Sequence, residues 1–136
     1  MALIVDASVA VKWIVAEPLR DEALELVRQN DVVVPDLLAV EVRNALVNRV
    51  RRRLATAEEA RRAASAFRAI PLIVEPSADR LDEAFDLALA FEHPIDDCIY
   101  LALAVVRQLT LVTADRRMFD LAQRRPDLQA RVTLLA

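Results

Sequence analysis

Asp6, Glu41, Asp97 and Asp115 are the residues of this sequence best suited to chemistry. They lie far apart in the chain, yet each falls where alternating strands and helices would turn it towards one edge of a sheet. Two carboxylates ~4 Å apart repel by about 4 kcal/mol at an effective dielectric near ~20. That is a large share of a marginal stability of ~5–15 kcal/mol. Acids gathered in this way either hold protons or share a cation. With oxygen ligands only, and no His or Cys in the set, the cation expected is Mg²⁺, with Mn²⁺ as a substitute. One or two such ions can activate a water, orient a phosphate and stabilise a leaving oxygen. The plainer alternative is a set of separate helix caps and surface charges. Thr113 and Asp115 suit capping well.

The elements that must position these acids can be read from the apolar pattern. Leu3-Ile4-Val5 is an apolar run of the kind found in a strand covered on both faces, and Asp6 follows it directly. In open α/β sheets, ligands bind at the carboxyl edge of the strands. Helices are expected from Ser8 to about Ala16 and from Leu19 to about Arg28. Val32-Val33-Val34 is the second strand, stopped by Pro35. A long helix runs from Asp36 to about Arg53, with Leu38, Val42, Ala45, Leu46 and Val50 facing the core. Glu41, Asn44 and Asn48 share the neighbouring stripe, so Glu41 sits between core and cleft.

Thr56 and Glu59 form a capping box for a helix to about Ala69. Leu72-Ile73-Val74 is the third strand. Ser77 is expected to cap a helix from Ala78 to Phe91, with Leu81, Ala84, Phe85, Ala88 and Leu89 turned inward. Ile95 to Val106 is apolar nearly all round apart from Asp96 and Asp97, as in a buried helix. The positive end of that helix favours an anion at Asp97. Leu111-Val112-Thr113 is the fourth strand, Asp115 opens a helix that Pro126 ends, and Val132 to Leu135 is the fifth strand. Strands alternating with helices imply a single α/β domain over residues 1–136. The expected architecture is a three-layer α/β/α sandwich around a parallel five-stranded sheet of order 3-2-1-4-5. Strands one and four then adjoin, and a cleft opens between them.

Composition narrows the function. There is no glycine, which excludes a Walker loop and a dinucleotide fingerprint, since both need glycine backbone against a phosphate. A single cysteine excludes a disulfide framework and fits a reducing, cytoplasmic setting. The sequence contains neither a convincing signal peptide nor an apolar run of ~18–20 residues that could span a membrane. The net charge of −3 counts against nucleic-acid binding, but the arginines cluster. Arg49, Arg51, Arg52 and Arg53 form one group, Arg61 and Arg62 a second, Arg116 and Arg117 a third. The planar fork of Arg suits phosphate.

Val5-Asp6-Ala7-Ser8, Glu41-Val42-Arg43-Asn44-Ala45-Leu46, the run from Asp97-Cys98-Ile99-Tyr100 through Ala104, and Thr113-Ala114-Asp115 together resemble a PIN domain. More narrowly, the chain is similar to the VapC-type toxins of bacterial toxin–antitoxin pairs, in order and over its whole length. The resemblance implies a Mg²⁺- or Mn²⁺-dependent ribonuclease whose acidic tetrad falls on Asp6, Glu41, Asp97 and Asp115. It implies RNA as substrate, a homodimer and a small VapB-like antitoxin as partner. It also implies that Ser8, Asn44 and Thr113 assist by hydrogen bonding near the metal and phosphate. Asp96 stands where the family often has Tyr. The spacing to Tyr100 and the Leu-Ala-Leu-Ala run favours Asp97 as the ligand, with Asp96 either an outer acid or a helix cap.

Other candidates weigh less. His93, the one histidine, precedes Pro94 in a loop and is expected at the surface. Cys98 is expected to be a small buried group. Trp13 is expected in the core or a dimer interface. Two rival readings remain: a PIN-like binding module with a degenerate site, and a phosphoacceptor receiver domain. The first is disfavoured because all four acids are present. The second would want an acid pair near strand one and a Lys after the last strand, but Asp6 stands alone and Lys12 is the only Lys.

Overall fold

The computed structural model describes residues 1–136. The chain runs β1 (Ala2–Val5), α1 (Ala7–Ala10), α2 (Arg20–Gln29), β2 (Asp31–Pro35), α3 (Leu37–Arg51), α4 (Ala57–Arg68), β3 (Ile73–Glu75), α5 (Leu81–Phe91), α6 (Ile95–Arg107), β4 (Leu111–Thr113), α7 (Arg116–Ala122), α8 (Pro126–Gln129) and β5 (Val132–Leu134). The five strands form one sheet of order β3-β2-β1-β4-β5, every neighbouring pair parallel. This is the order expected from the sequence. Ile4 lies opposite both Val33 and Leu111, so β1 is the central strand.

Leu3, Ile4 and Val5 in β1 and Val32, Val33 and Val34 in β2 are all buried, including residues that point to opposite faces. Both faces of the sheet are therefore covered by helices, and a run of β-branched residues suits that environment. In α6, every residue from Cys98 to Ala104 is buried. That helix packs on β1, β2 and β4 and against α5. Its ends are less covered, with Ile95 and Val106 exposed. Trp13 lies in the core, where its indole N–H donates to the Ala23 carbonyl at 2.8 Å. No helix is long and apolar enough to cross a membrane.

Some local expectations are corrected. The first helix is short: α1 tightens at once into a 3₁₀ turn over Val11–Trp13. Pro35 lies inside β2, where it pairs with Glu75 of β3. Ser77 does not cap α5. It begins a 3₁₀ turn over Ser77–Arg80, its hydroxyl accepts from the Leu37 N–H, and its own N–H donates to Asp36. It thus ties the β3 and β2 exits together. The buried face of α5 is Ala84, Leu87 and Phe91, whereas Leu81, Phe85 and Leu89 are exposed. Pro126 opens α8 at its first turn, in addition to following the end of α7.

Without glycine, the helix ends that need a left-handed residue use others. Glu92 and Gln108, at the ends of α5 and α6, have φ of 52° and 54°. A side chain in that region costs ~1–2 kcal/mol. Gln108→Gly is therefore expected to raise stability by up to about 1 kcal/mol, the relief being offset in part by the freer unfolded chain. The capping box at Thr56 is formed, with both reciprocal hydrogen bonds at 3.0 and 3.1 Å. Thr56→Ala should cost about 1 kcal/mol. Urea titrations measure both changes; a destabilised Gln108→Gly would contradict the left-handed-strain argument, and an unchanged or stabilised Thr56→Ala the capping argument.

Candidate metal centre

Asp6 leaves β1 at the carboxyl edge and caps α1. It is almost fully buried. Its Oδ1 accepts from the Ser8 hydroxyl at 2.5 Å and from the Val9 N–H at 3.4 Å, and its Oδ2 accepts from the Thr113 hydroxyl at 2.5 Å. Thr113 is the fully buried last residue of β4. The Ser8 oxygen accepts from the Ala114 N–H at 2.8 Å, and the Thr113 oxygen accepts from the Asp115 N–H at 3.1 Å. These contacts stitch the ends of β1 and β4 together around one carboxylate. Asp115 follows directly and is near enough to oppose the ionisation of Asp6. Asp115 does cap α7, accepting from the Arg117 N–H at 2.9 Å. The same carboxylate oxygen lies 3.7 Å from the Arg117 guanidinium.

A second group of acids comes from two helices; Asp6 and Asp115 are not within its 4.8 Å span, although Asp6 is near enough to oppose the ionisation of Glu41. Glu41, half-buried on α3, accepts from the buried Tyr100 hydroxyl at 2.5 Å. Asp96 and Asp97 occupy the first turn of α6. One carboxylate oxygen from each of Glu41, Asp96 and Asp97 lies within 4.8 Å of the others. Asp96 is exposed and Asp97 half-buried. Ser8 and Thr113 touch the acids directly, whereas Asn44, one turn beyond Glu41, remains exposed.

Two contacts with the acids are not anticipated from the sequence, where Tyr100 serves only as a spacing marker and His93 is expected at the surface. Tyr100 lies three residues after Asp97 and so shares its helical face, which is the signal that could have found it. His93 is not a free surface residue. Its Nε2 lies 2.7 Å from Asp97 Oδ2. Cys98 belongs to the core, and burial together with Asp97 and Asp96 pushes its thiol up to about 11, which removes it as a nucleophile. Arg49 is engaged with Glu17 at 3.6 Å, which Lys12 also approaches at 3.4 Å.

The electrostatics follow from burial. Desolvation raises the pKa of Asp6 above its ordinary value, and the Ser8, Thr113 and Val9 hydrogen bonds offset this only in part. Glu41 is raised by burial too, with Asp96, Asp97 and Asp6 adding to the effect against the Tyr100 hydrogen bond. The donor set is carboxylate and hydroxyl oxygen. The one imidazole is already bonded to Asp97, and the thiol is sealed in the core. Such a set fits a hard dication.

A raised carboxyl pKa means that the folded protein holds its proton more tightly than the unfolded chain. Stability then falls as pH rises from the ordinary carboxylate range through the raised value. With divalent ions chelated, Asp6→Asn should therefore melt at a higher temperature than the parent at pH 7, the gap closing on acidification towards pH ~4. Thermal melts followed by circular dichroism read this. A lower melting temperature for Asp6→Asn at pH 7 would contradict it.

No curated protein matches the sequence. The fold is similar to that of VapBC2 from Rickettsia felis, solved bound to a DNA fragment from its promoter, at a TM-score of 0.71 and 16% identity over 100% of both chains. A toxin–antitoxin complex from Klebsiella pneumoniae gives a TM-score of 0.65 at 16% identity, covering 96% of this chain and 95% of that one. VapC20 of Mycobacterium tuberculosis, a Sarcin-Ricin loop cleaving toxin, gives 0.63 at 16% identity, covering 94% and 93%. The family model of the PIN domain matches residues 3–124, and the chain belongs to the PIN domain family.

Proposed function

We propose that this protein is a divalent-metal-dependent endoribonuclease and the toxin of a type II toxin–antitoxin pair. One observation carries the reading: on a PIN-family sheet, Asp6 and Asp115 follow the adjacent strands β1 and β4, and Glu41, Asp96 and Asp97 bring their carboxylates within 4.8 Å of one another, with Asp6 near enough to oppose the ionisation of Glu41. Asp6 and Asp97 would hold a Mg²⁺ or Mn²⁺ ion, assisted by Glu41 and Asp115. When bound, the ion supplies water activation and charge neutralisation at a phosphodiester. Ser8 and Thr113 fix the Asp6 carboxylate, and Tyr100 fixes Glu41. Asn44 is exposed and available to substrate. Arg51 and Arg52 are exposed near the end of α3 and would offset phosphate charge. Family membership speaks against the receiver-domain alternative.

The neighbours solved as toxin–antitoxin complexes support a VapB-like antitoxin as partner. A homodimer is supported by apolar side chains left at the surface. Leu81, Phe85 and Leu89 recur every fourth residue along α5, and Val40 and Val47 stand out from α3. The lone buried thiol is consistent with the cytoplasm.

Cleavage of a mixed RNA substrate with Mg²⁺ or Mn²⁺ tests the proposal. A chelator should abolish cutting. Asp6→Asn and Asp97→Asn should each lose more than about 100-fold, beyond the ~10–100-fold usual for outer partners of a metal. Cutting in excess chelator, or parental rates in Asp6→Asn, would overturn it.

A further inference from the structure

We propose that His93 is a positioning residue for Asp97, holding one carboxylate oxygen so that the other is presented to the cation. The inference rests on the metal-site reading above and concerns a residue outside the acidic tetrad. Its basis is the contact of 2.7 Å between His93 Nε2 and Asp97 Oδ2. A carboxylate that ligates a metal can only accept hydrogen bonds, so Nε2 carries the proton and donates.

The backbone fixes the ring in place from both sides. At the end of α5, Glu92 turns the chain through a left-handed conformation with φ of 52°. The His93 N–H then donates to the Ala88 carbonyl at 3.1 Å. Pro94 holds φ at −55° directly before α6, and a residue preceding proline is confined to extended conformations. The imidazole consequently hangs over the first turn of α6, where Asp97 lies four residues on. Neither partner is fully exposed, with 24% of the His93 side chain and 31% of the Asp97 side chain accessible.

The same arrangement recurs at the other acids. Tyr100 holds Glu41 through Oε1, and Ser8 and Thr113 hold Asp6. Each of these three carboxylates has a side-chain donor that sets its orientation. Partners of this kind tune metal affinity. His93 does for Asp97 what Tyr100 does for Glu41.

The test is Mn²⁺ binding to the full chain without RNA, read by the electron paramagnetic resonance signal of free Mn²⁺. His93→Ala should weaken binding by about 10–100-fold. His93→Gln, whose amide nitrogen can donate from a similar position, should recover most of that loss. Melts in chelator should place both variants close to the parent, separating ligand orientation from folding. Parental Mn²⁺ affinity in His93→Ala would overturn the proposal, as would equal weakening in both variants, which would assign the effect to ring packing. If the parent chain itself failed to bind Mn²⁺, the metal-site reading would fall and this inference with it.

Discussion

The structure depends on one buried carboxylate. Asp6 lies where the central strand meets its neighbour, and three donors from two distant segments converge on it. Those hydrogen bonds do not cancel the cost of taking the charge out of water, as the upward shift of its pKa shows. The residue that locks the ends of β1 and β4 together is therefore also a source of instability while no cation is near. Replacing such a group by a neutral one of similar shape commonly stabilises a protein at the expense of activity. The fold carries this cost because the rest of its core is well covered on both faces of the sheet.

The order of the sheet makes the cluster possible. With β1 between β2 and β4, the ends of β1 and β4 are adjacent, and the helix after β2 brings Glu41 over the same edge. Helix α6 runs back across the sheet into β4 and so begins near that edge with Asp96 and Asp97. Segments of distant sequence then contribute negative charge along one edge: Glu41, Asp96 and Asp97 in close proximity, and Asp6 near enough to oppose the ionisation of Glu41. Hydroxyl donors, the Tyr100 phenol and the His93 ring orient these charges. The acids repel one another through the low-dielectric edge of the core, and a dication is the simplest relief.

Much of this was legible in the sequence, because the relevant signals are strong ones. Runs such as Leu3-Ile4-Val5 and Val32-Val33-Val34 are too apolar to be anything but covered strands, and alternation with helices fixes a parallel sheet. The first turn of α6 was informative because two acids interrupt an otherwise apolar helix. What failed was local. Helix α5 offers two apolar stripes, Leu81-Phe85-Leu89 and Ala84-Leu87-Phe91, and periodicity alone cannot say which one packs inward against α6. The sequence has no glycine, so the left-handed helix ends at Glu92 and Gln108 had no marker. His93 looked like a loop residue because its contact with Asp97, only four residues on, depends on the left-handed turn at Glu92 and on Pro94, neither of which marks the ring's direction in the sequence. The Ser77 hydroxyl was drawn away from capping by an N–H at the start of α3, forty residues away.

The claim underneath the whole reading is that the acids gathered at this edge share a cation. A crystal structure grown or soaked in manganese, with anomalous scattering used to locate the ion, tests it most directly. The account predicts an anomalous peak bonded to oxygens of Asp6 and Asp97, with Glu41 and Asp115 beside it. A well-ordered structure at saturating manganese with Asp6 and Asp97 turned apart and no peak between them would contradict it.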